Sequence, residues 1–517
     1  MTTRIAPALA IIALFAWALW QRWSFLDSSP FPLGVDGYYY PIQLRSLLEH
    51  GELHYPSAPL AFWLMAPLVW LSDPITGAKL GAALGTSLIV WPAYLLGRRI
   101  GGTRATGILA ATLVATSPSS FYFSAEFVKN GIGLTLALGF LCVLARALEG
   151  LARCDGADLR TGQRSTVWLA AAVVWFLAVV MTHKLATFVA VVAALPPVIA
   201  LVAGRWRAGG PAKDRLLRPG WLVAVLLAPV VAVVALGLAA PERFPSPGDL
   251  GLASELLTAE PDWSLPVLAP PGAAPLTMQG EVAIAALLSI AALVLWRLTG
   301  QRADHPGPQL SWFLGLAVMS LIIALPWLAV SDPQGPGFRL RLLGFIPLAL
   351  SAAAVTGPVL RRLSPVHRGI AITAFALAFI LARPARPQAG IARAHPAMVS
   401  AAQTVSPLVP RHHTIVTPER HILFMVAWYG DREVVLRPER IAEDQRWRLL
   451  PMALMTPALR QAIDQARTDA PAGIPPPRGV HPMHRNGLVV MPELTWQWIL
   501  ARLPPADRAL YRRWQTI

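Results

Sequence analysis

The chain has 517 residues, 55% of them hydrophobic and 14% charged, with a mean hydropathy of +0.51 and a formal net charge of +16. That balance excludes a soluble globular domain. The surplus Lys and Arg fall in short loops between apolar runs, where they set topology rather than point to nucleic acid, and two cysteines, Cys142 and Cys154, exclude a disulfide framework or a cysteine-based metal site.

Apolar runs of roughly 17 to 25 residues recur along the chain, each able to cross about 30 Å of hydrocarbon as a helix. The first, from Ile5 to about Trp20, is followed by Gln21-Arg22-Trp23 rather than a small-residue cleavage site, and reads as a retained span. Spans are predicted at about 5–23, 79–97, 105–122, 131–149, 166–182, 185–204, 220–240, 280–297, 310–328, 340–360 and 369–383, about eleven in all. Residues 59–71 are apolar but short and hold Pro67, so they read as an interfacial helix. Counting them as a span would reverse the side of every later loop. As placed, Arg98/Arg99/Arg104, Arg153/Arg160/Arg164, Arg205/Arg207/Lys213/Arg215/Arg218, Arg297/Arg302 and Arg361/Arg362/Arg368 all fall in loops of one parity, which are then cytoplasmic.

With the amino terminus cytoplasmic, the loops at about 24–78, 123–130, 183–184, 241–279 and 329–339, and everything past about 384, are extracytoplasmic. The 241–279 loop is rich in Pro and in acids, Asp249 among them, and reads as irregular chain. The tail reads as a small α/β domain. Thr414-Ile415-Val416 is strand-like, Thr417-Pro418-Glu419 resembles a helix cap, His421 to Tyr429 is an amphipathic helix and Val434-Val435-Leu436 a second strand. Later, Gly487 to Met491 is strand-like and Leu494 to Leu503 helical. The expected organisation is an α-helical polytopic membrane domain over 1–385, including a first external loop at 24–78 with interfacial helices, and an extracytoplasmic small α/β domain over 386–517.

Candidate chemistry clusters at the external ends of the spans. Asp36 sits in Val35-Asp36-Gly37-Tyr38-Tyr39-Tyr40 just after the first span, where a carboxylate suits a general base or a cation ligand and tyrosines such as Tyr38 and Tyr39 suit stacking on a sugar. The competing reading is an Asp helix cap beside an interfacial aromatic belt. Glu126, Lys129 and Asn130 top the next external turn, either as polar groups facing a site or as an ordinary pair at helical spacing. Thr182-His183-Lys184 breaks a long apolar tract with a very tight turn, placing His183 and Lys184 where they suit a phosphate, or simply ending a span. Arg339 and Arg341 open the tenth span on the side where arginines are scarce. Arg339 suits bidentate phosphate binding, whereas Arg341 reads as snorkelling to lipid head groups. His412-His413 lacks the partners for zinc, and no nucleotide-cradling Gly-rich loop with Lys is present.

Over roughly residues 1–385 the pattern resembles the glycosyltransferase C superfamily, the polytopic enzymes that include oligosaccharyltransferase catalytic subunits, protein mannosyltransferases and lipid A aminoarabinose transferases. The resemblance rests on Val35 to Tyr40 followed by Arg45 to Pro56, on Pro92 to Gly102, and on Thr116 to Leu134. It implies a GT-C-like fold and an inner-membrane enzyme of the cell envelope. Such an enzyme passes a hexosyl or pentosyl group from a polyprenyl-phosphate or polyprenyl-pyrophosphate donor to an extracytoplasmic lipid, glycan or protein acceptor. Asp36 would be its base or metal-associated carboxylate, with Lys184 and Arg339 near the leaving phosphate. The second loop departs from the oligosaccharyltransferase pattern, since Lys129-Asn130 stand where paired acids are usual and Glu126 is the one carboxylate. No cofactor or divalent cation is therefore assigned. The tail also lacks a Trp-Trp-Asp motif for reading Asn-x-Ser/Thr acceptors. Two other functions fit the same features: a transporter or flippase of lipid-linked glycans, and a membrane scaffold presenting the tail domain.

Overall fold

The structure, a computed structural model, describes residues 2–153, 159–207, 219–249, 278–300, 308–324, 336–381, 394, 396–430, 433–436, 441–469, 471–479 and 487–513. Cys154, most of the 241–279 loop and the start of the 329–339 loop lie outside the described residues. The chain divides into two compact units. The first comprises Met1–Asp27, Tyr55–Pro67 and Lys79–Gly390, and the second Ser28–His54, Leu68–Ala78 and Ile391–Ile517. The first loop was expected to belong with the membrane domain. Most of it groups instead with the carboxyl-terminal segment, because α2 (Tyr39–His50) finds its packing partners there.

Each expected span corresponds to helix. The first unit holds α1 (Thr2–Leu26), most of α3 (Leu60–Trp70) and of α4 (Pro74–Ser87), then α5 (Val90–Gly101), α6 (Arg104–Thr116), α7 (Pro118–Ala125), α8 (Val128–Arg153), α9 (Leu159–Val180) and α10 (Lys184–Arg207). They are followed by α11 (Pro219–Ala239), α12 (Met278–Gly300), α13 (Pro308–Ala324), α14 (Pro336–Arg341), α15 (Phe345–Arg362) and α16 (Pro365–Leu381). Among the described residues, five helices are long and apolar enough to cross a membrane, or six if the bent pair α6–α7 is one span. The chain is a membrane protein, and among the described residues the spans expected at about 166–182, 280–297 and 369–383 appear as shorter apolar helices at 164–180, 280–295 and 365–381. The span expected at 105–122 is broken by 50° at Ser117-Pro118, where the Ser117 hydroxyl accepts from the Ser120 amide and Pro118 opens a new helix. α3 is eleven residues long, too short to cross about 30 Å.

Small residues set the closest helix contacts of this unit. A Cβ on Gly101 of α5 would overlap the Ala353 carbonyl of α15, and one on Gly357 of α15 would overlap the Gly101 carbonyl, so the two backbones touch where neither residue has a side chain. Ser289 of α12 shares hydrogen bonds with Ser320 of α13 (2.8 Å) and Ser351 of α15 (2.9 Å), a buried hydroxyl knot that ties three helices. Apolar side chains such as Val167, Val174, Leu287 and Val366 stay exposed, as a lipid-facing surface requires.

The second unit carries a five-stranded sheet in the order β2-β1-β3-β5-β4, where β1 is Thr414–Val416, β2 Val434–Val435, β3 Arg446–Pro451, β4 Arg478–Gly479 and β5 Leu488–Pro492. β1 runs parallel to β2 and β3, and β5 antiparallel to β3 and β4. The helices are α17 (Pro396–Val405), α18 (Arg420–Gly430), α19 (Pro457–Asp469), α20 (Glu493–Arg502) and α21 (Pro505–Arg513). α19, α20 and α21 bury Leu459, Ile463, Trp496, Ile499 and Tyr511 against Leu450, Val489 and Met491 of the sheet. Thr417, read as part of a cap, leaves its buried hydroxyl without a partner among the described residues. Arg448 of β3 and Glu493 of α20 form a buried two-point ion pair, 2.6 and 3.2 Å, which the sequence did not announce.

Candidate active site

In the first unit, three chain segments meet in a cluster of ionisable groups. The α6–α7 break ends α7 at Glu126 and lets α8 restart at Val128, so Glu126 is buried at a corner with Lys129 one turn on. Lys129 Nζ donates to Ser57 Oγ at 2.9 Å and lies 5.8 Å from the Phe62 ring centre. The turn between α9 and α10 is as tight as expected: the Leu60 amide bonds Met181 O (2.9 Å), the Thr182 hydroxyl bonds Val179 O, and the Leu185 amide donates to His183 Nδ1 (3.1 Å). Arg339, on α14, stacks its guanidinium 4.4 Å over the Phe127 ring. Glu126, Lys129, His183, Lys184 and Arg339 therefore all belong to this unit, and Lys129, Arg339 and Lys184 all act electrostatically on His183.

Burial first, and then those three cations in that order, hold the His183 imidazole well below its usual pKa, so it is neutral at physiological pH. Lys184 is already engaged. Its Nζ lies 3.0 Å from both oxygens of Asp249 and donates to Pro241 O at 2.9 Å. Sequence reading named Asp249 as one acid in an irregular loop and missed this pairing, which spans 65 residues. With Glu126 and Asp249 counted against Lys129, Lys184 and Arg339, and His183 neutral, the cluster keeps one net positive charge. It suits an anionic head group flanked by apolar surface, with Phe62, Phe127 and Phe338 as the neighbouring rings.

Two further buried ionisable groups were missed. Arg22, fully buried at the end of α1, donates to Ser120 Oγ at 2.9 Å, and Glu281, fully buried in the first turn of α12, packs against Ser117 and Ser119. Both brace the α6–α7 break. An ionisable residue at the end of an apolar run was the available signal for each. Arg341, expected to snorkel to lipid, is instead buried in protein at 6% exposure, since the turn into α15 directs it inward.

Asp36, Tyr38 and Tyr39 belong to the second unit. Gly34 takes a positive φ of 89°, a conformation side chains resist, and turns the chain so that the Gly37 amide bonds Gly34 O and the Tyr39 amide bonds Asp36 O, both 3.0 Å. The Asp36 carboxylate is not a helix cap: the N-cap of α2 is Tyr38, which makes no side-chain capping bond. Asp36 Oδ1 lies instead 2.8 Å from Arg420 Nε. Tyr38 and Tyr39, expected to stack on a sugar, are buried against protein. Tyr38 meets the Tyr429 hydroxyl at 3.2 Å and the His421 ring at 6.4 Å, and Tyr39 packs on Phe424 and accepts from Gln43 Nε2. They anchor the loop that bears Asp36. His421 is buried, its Nε2 has no partner among the described residues, and burial lowers its pKa to about 4.

Among the described residues no group of three His, Cys, Asp or Glu side chains is placed to hold a metal ion, and no step is assigned to one.

Neither a family model nor a curated protein matches the sequence. Among solved structures, the chain is similar to the apo oligosaccharyltransferase of Archaeoglobus fulgidus, with a TM-score of 0.52 and 13% identity over 83% of this chain and 64% of that one. It is similar also to ArnT from Cupriavidus metallidurans bound to undecaprenyl phosphate, with a TM-score of 0.52 and 14% identity over 93% of this chain and 98% of that one. It thus spans less than two thirds of the oligosaccharyltransferase's length and nearly all of ArnT's. At these identities the likeness is one of architecture. The chain shares the fold of these two proteins.

Proposed function

We propose that the protein is a glycosyltransferase of the cytoplasmic membrane that moves a sugar from a polyprenyl-phosphate or polyprenyl-pyrophosphate carrier to an extracytoplasmic lipid, glycan or protein. The observation that carries this reading is the half-buried group of Lys129, His183, Lys184 and Arg339, gathered from three segments of a fold shared with ArnT, which was captured on undecaprenyl phosphate. Cations brought together and partly shielded from water favour a phosphate, and the favour grows as the leaving group gains charge. In the reaction, an acceptor hydroxyl gives its proton to Asp36 as its oxygen bonds the anomeric carbon of the donor. The bond from that carbon to the carrier's phosphate oxygen breaks, and the electron pair leaves on the phosphate. Lys129 and Arg339 stabilise that developing charge, with His183 as a neutral hydrogen-bonding neighbour. Asp249 tempers Lys184, and Glu126 sets the orientation of the corner from which Lys129 projects.

The test is replacement in cells that lack the native chain, followed by mass spectrometry of their envelope glycoconjugates. Asp36→Ala and Arg339→Ala, each at wild-type protein levels, are expected to remove a sugar modification that the wild-type chain restores. Unchanged glycoconjugates in both variants would end the catalytic reading and favour a transporter of lipid-linked glycans or a scaffold.

A further inference from the structure

The carboxyl-terminal segment supplies no reacting group, yet it grips the loop that bears the proposed base. α18 begins at Arg420, just beyond the carboxyl end of β1, and presents a stripe at i, i+4 and i+8 to the first loop. Arg420 meets Asp36 (2.8 Å), Phe424 meets the Tyr39 ring (5.1 Å between centres), and Trp428 lies under the Arg45 guanidinium (4.5 Å). One residue along, His421 and Tyr429 flank Tyr38. The loop that bears Asp36 is thus clamped along one helix face.

The ion pair is asymmetric. The Asp36 side chain is 10% exposed, and Arg420, lying over the Phe424 ring at 5.6 Å, is 42% exposed. Asp36 Oδ1, the atom that Arg420 Nε approaches at 2.8 Å, is shut off from solvent, and Arg420 is the ion-pair partner of Asp36 among the described residues. A carboxylate this buried requires a countercharge. Arg420 supplies one through its contact with Oδ1.

We infer that Arg420 is the positioning residue for Asp36, fixing the carboxylate for its work on the acceptor hydroxyl, and that the carboxyl-terminal segment is thereby a working part of the transferase. The inference rests on the reading of Asp36 as the base. A general base gains from fixed geometry, and misplacement by about 1 Å can cost about 10²-fold in rate. Removal of Arg420 should therefore act on turnover rather than on donor affinity.

The experiment uses the full chain in native membranes, with the total polyprenyl-linked sugar lipids extracted from the parent cells as donor probe and the membranes' own acceptors. Arg420→Gln is expected to lower the maximal rate at least about 10-fold, with half-saturating donor changed less than about 3-fold. Arg420→Lys should recover part of the rate. In an Asp36→Glu background, where the carboxylate is already displaced, Arg420→Gln should cost less than half as much on a logarithmic scale, the non-additivity of residues in contact. Protein level and thermal stability of each variant separate positioning from misfolding. An Arg420→Gln chain that is stable and turns over at the wild-type rate overturns the inference, as does an equal loss in both backgrounds. If Asp36→Ala itself turns over normally, the base reading fails. If Asp36→Ala is inactive while Arg420→Gln is normal, the Arg420 inference fails alone.

Discussion

Glu493→Leu should unfold the second unit without touching any proposed reacting group. Arg448 and Glu493 are joined at two points, 2.6 and 3.2 Å, with side chains 8% and 2% exposed, and Gln497 donates to the same carboxylate at 2.8 Å. Losing the carboxylate strands a guanidinium inside a packed layer, a loss of about 3–5 kcal/mol, which is a large share of the about 5–15 kcal/mol that holds a typical domain together. The paired change Arg448→Met with Glu493→Leu removes both charges and should come within about 1 kcal/mol of wild type or exceed it. Pulse proteolysis in increasing urea, followed with a probe on the carboxyl-terminal segment, measures all three proteins. A single variant as stable as wild type, or a double variant as weak as the single one, would refute the reasoning. The pair also serves as a control, because Glu493→Leu should lose activity through unfolding whereas Asp36→Asn should lose it while folded.

Three further outcomes follow from the geometry. Gly357→Val places a branched side chain against the Gly101 carbonyl and should destabilise the first unit by about 1–3 kcal/mol, seen as a lower unfolding temperature in detergent, while Gly369→Ala, at an exposed position with open space around it, should not lower that temperature. His421, whose pKa falls from 6.5 to about 4 on burial, stays neutral in the fold while the unfolded chain binds a proton; its contribution is fully present above about pH 6.5 and is lost as pH falls towards 4, up to about 3 kcal/mol, so His421→Gln should flatten the loss of stability over that range. Asp249→Asn breaks a pair whose side chains are about one third exposed, 33% and 36%, and should change stability by less than about 1 kcal/mol while adding a net positive charge to the cluster and tightening the binding of undecaprenyl phosphate, read by titration in nanodiscs.

The helices were legible because lipid forces apolar runs to be long and to bond internally, so hydropathy alone located the stretches that became α1, α8 and α10. The break at Ser117-Pro118 was written as a cap and a proline, but it lay inside an apolar run and was smoothed into one span. Glu126, Lys129, His183, Lys184 and Arg339 could be collected in the sequence because topology placed all of their loops on one side. Their partners could not. Asp249 and Arg420 lie 65 and 384 residues from Lys184 and Asp36, and no local periodicity encodes contacts over such separations. Tyr38 and Tyr39 looked like an open sugar platform because aromatic residues in a loop carry the same letters whether a helix such as α18 covers them or not.

The proposed reaction requires that the phosphate of a polyprenyl carrier bind at Lys129 and Arg339. Native mass spectrometry of the full chain in nanodiscs, titrated with undecaprenyl phosphate and with uncharged undecaprenol, measures it directly. The phosphate form should bind at least about 10-fold more tightly, equal to about 1.4 kcal/mol. Lys129→Ala with Arg339→Ala should erase the difference, and Asp36→Asn should leave it intact. Equal binding of the two lipids by the wild-type chain, or a preference for phosphate that survives loss of both cations, would contradict the account.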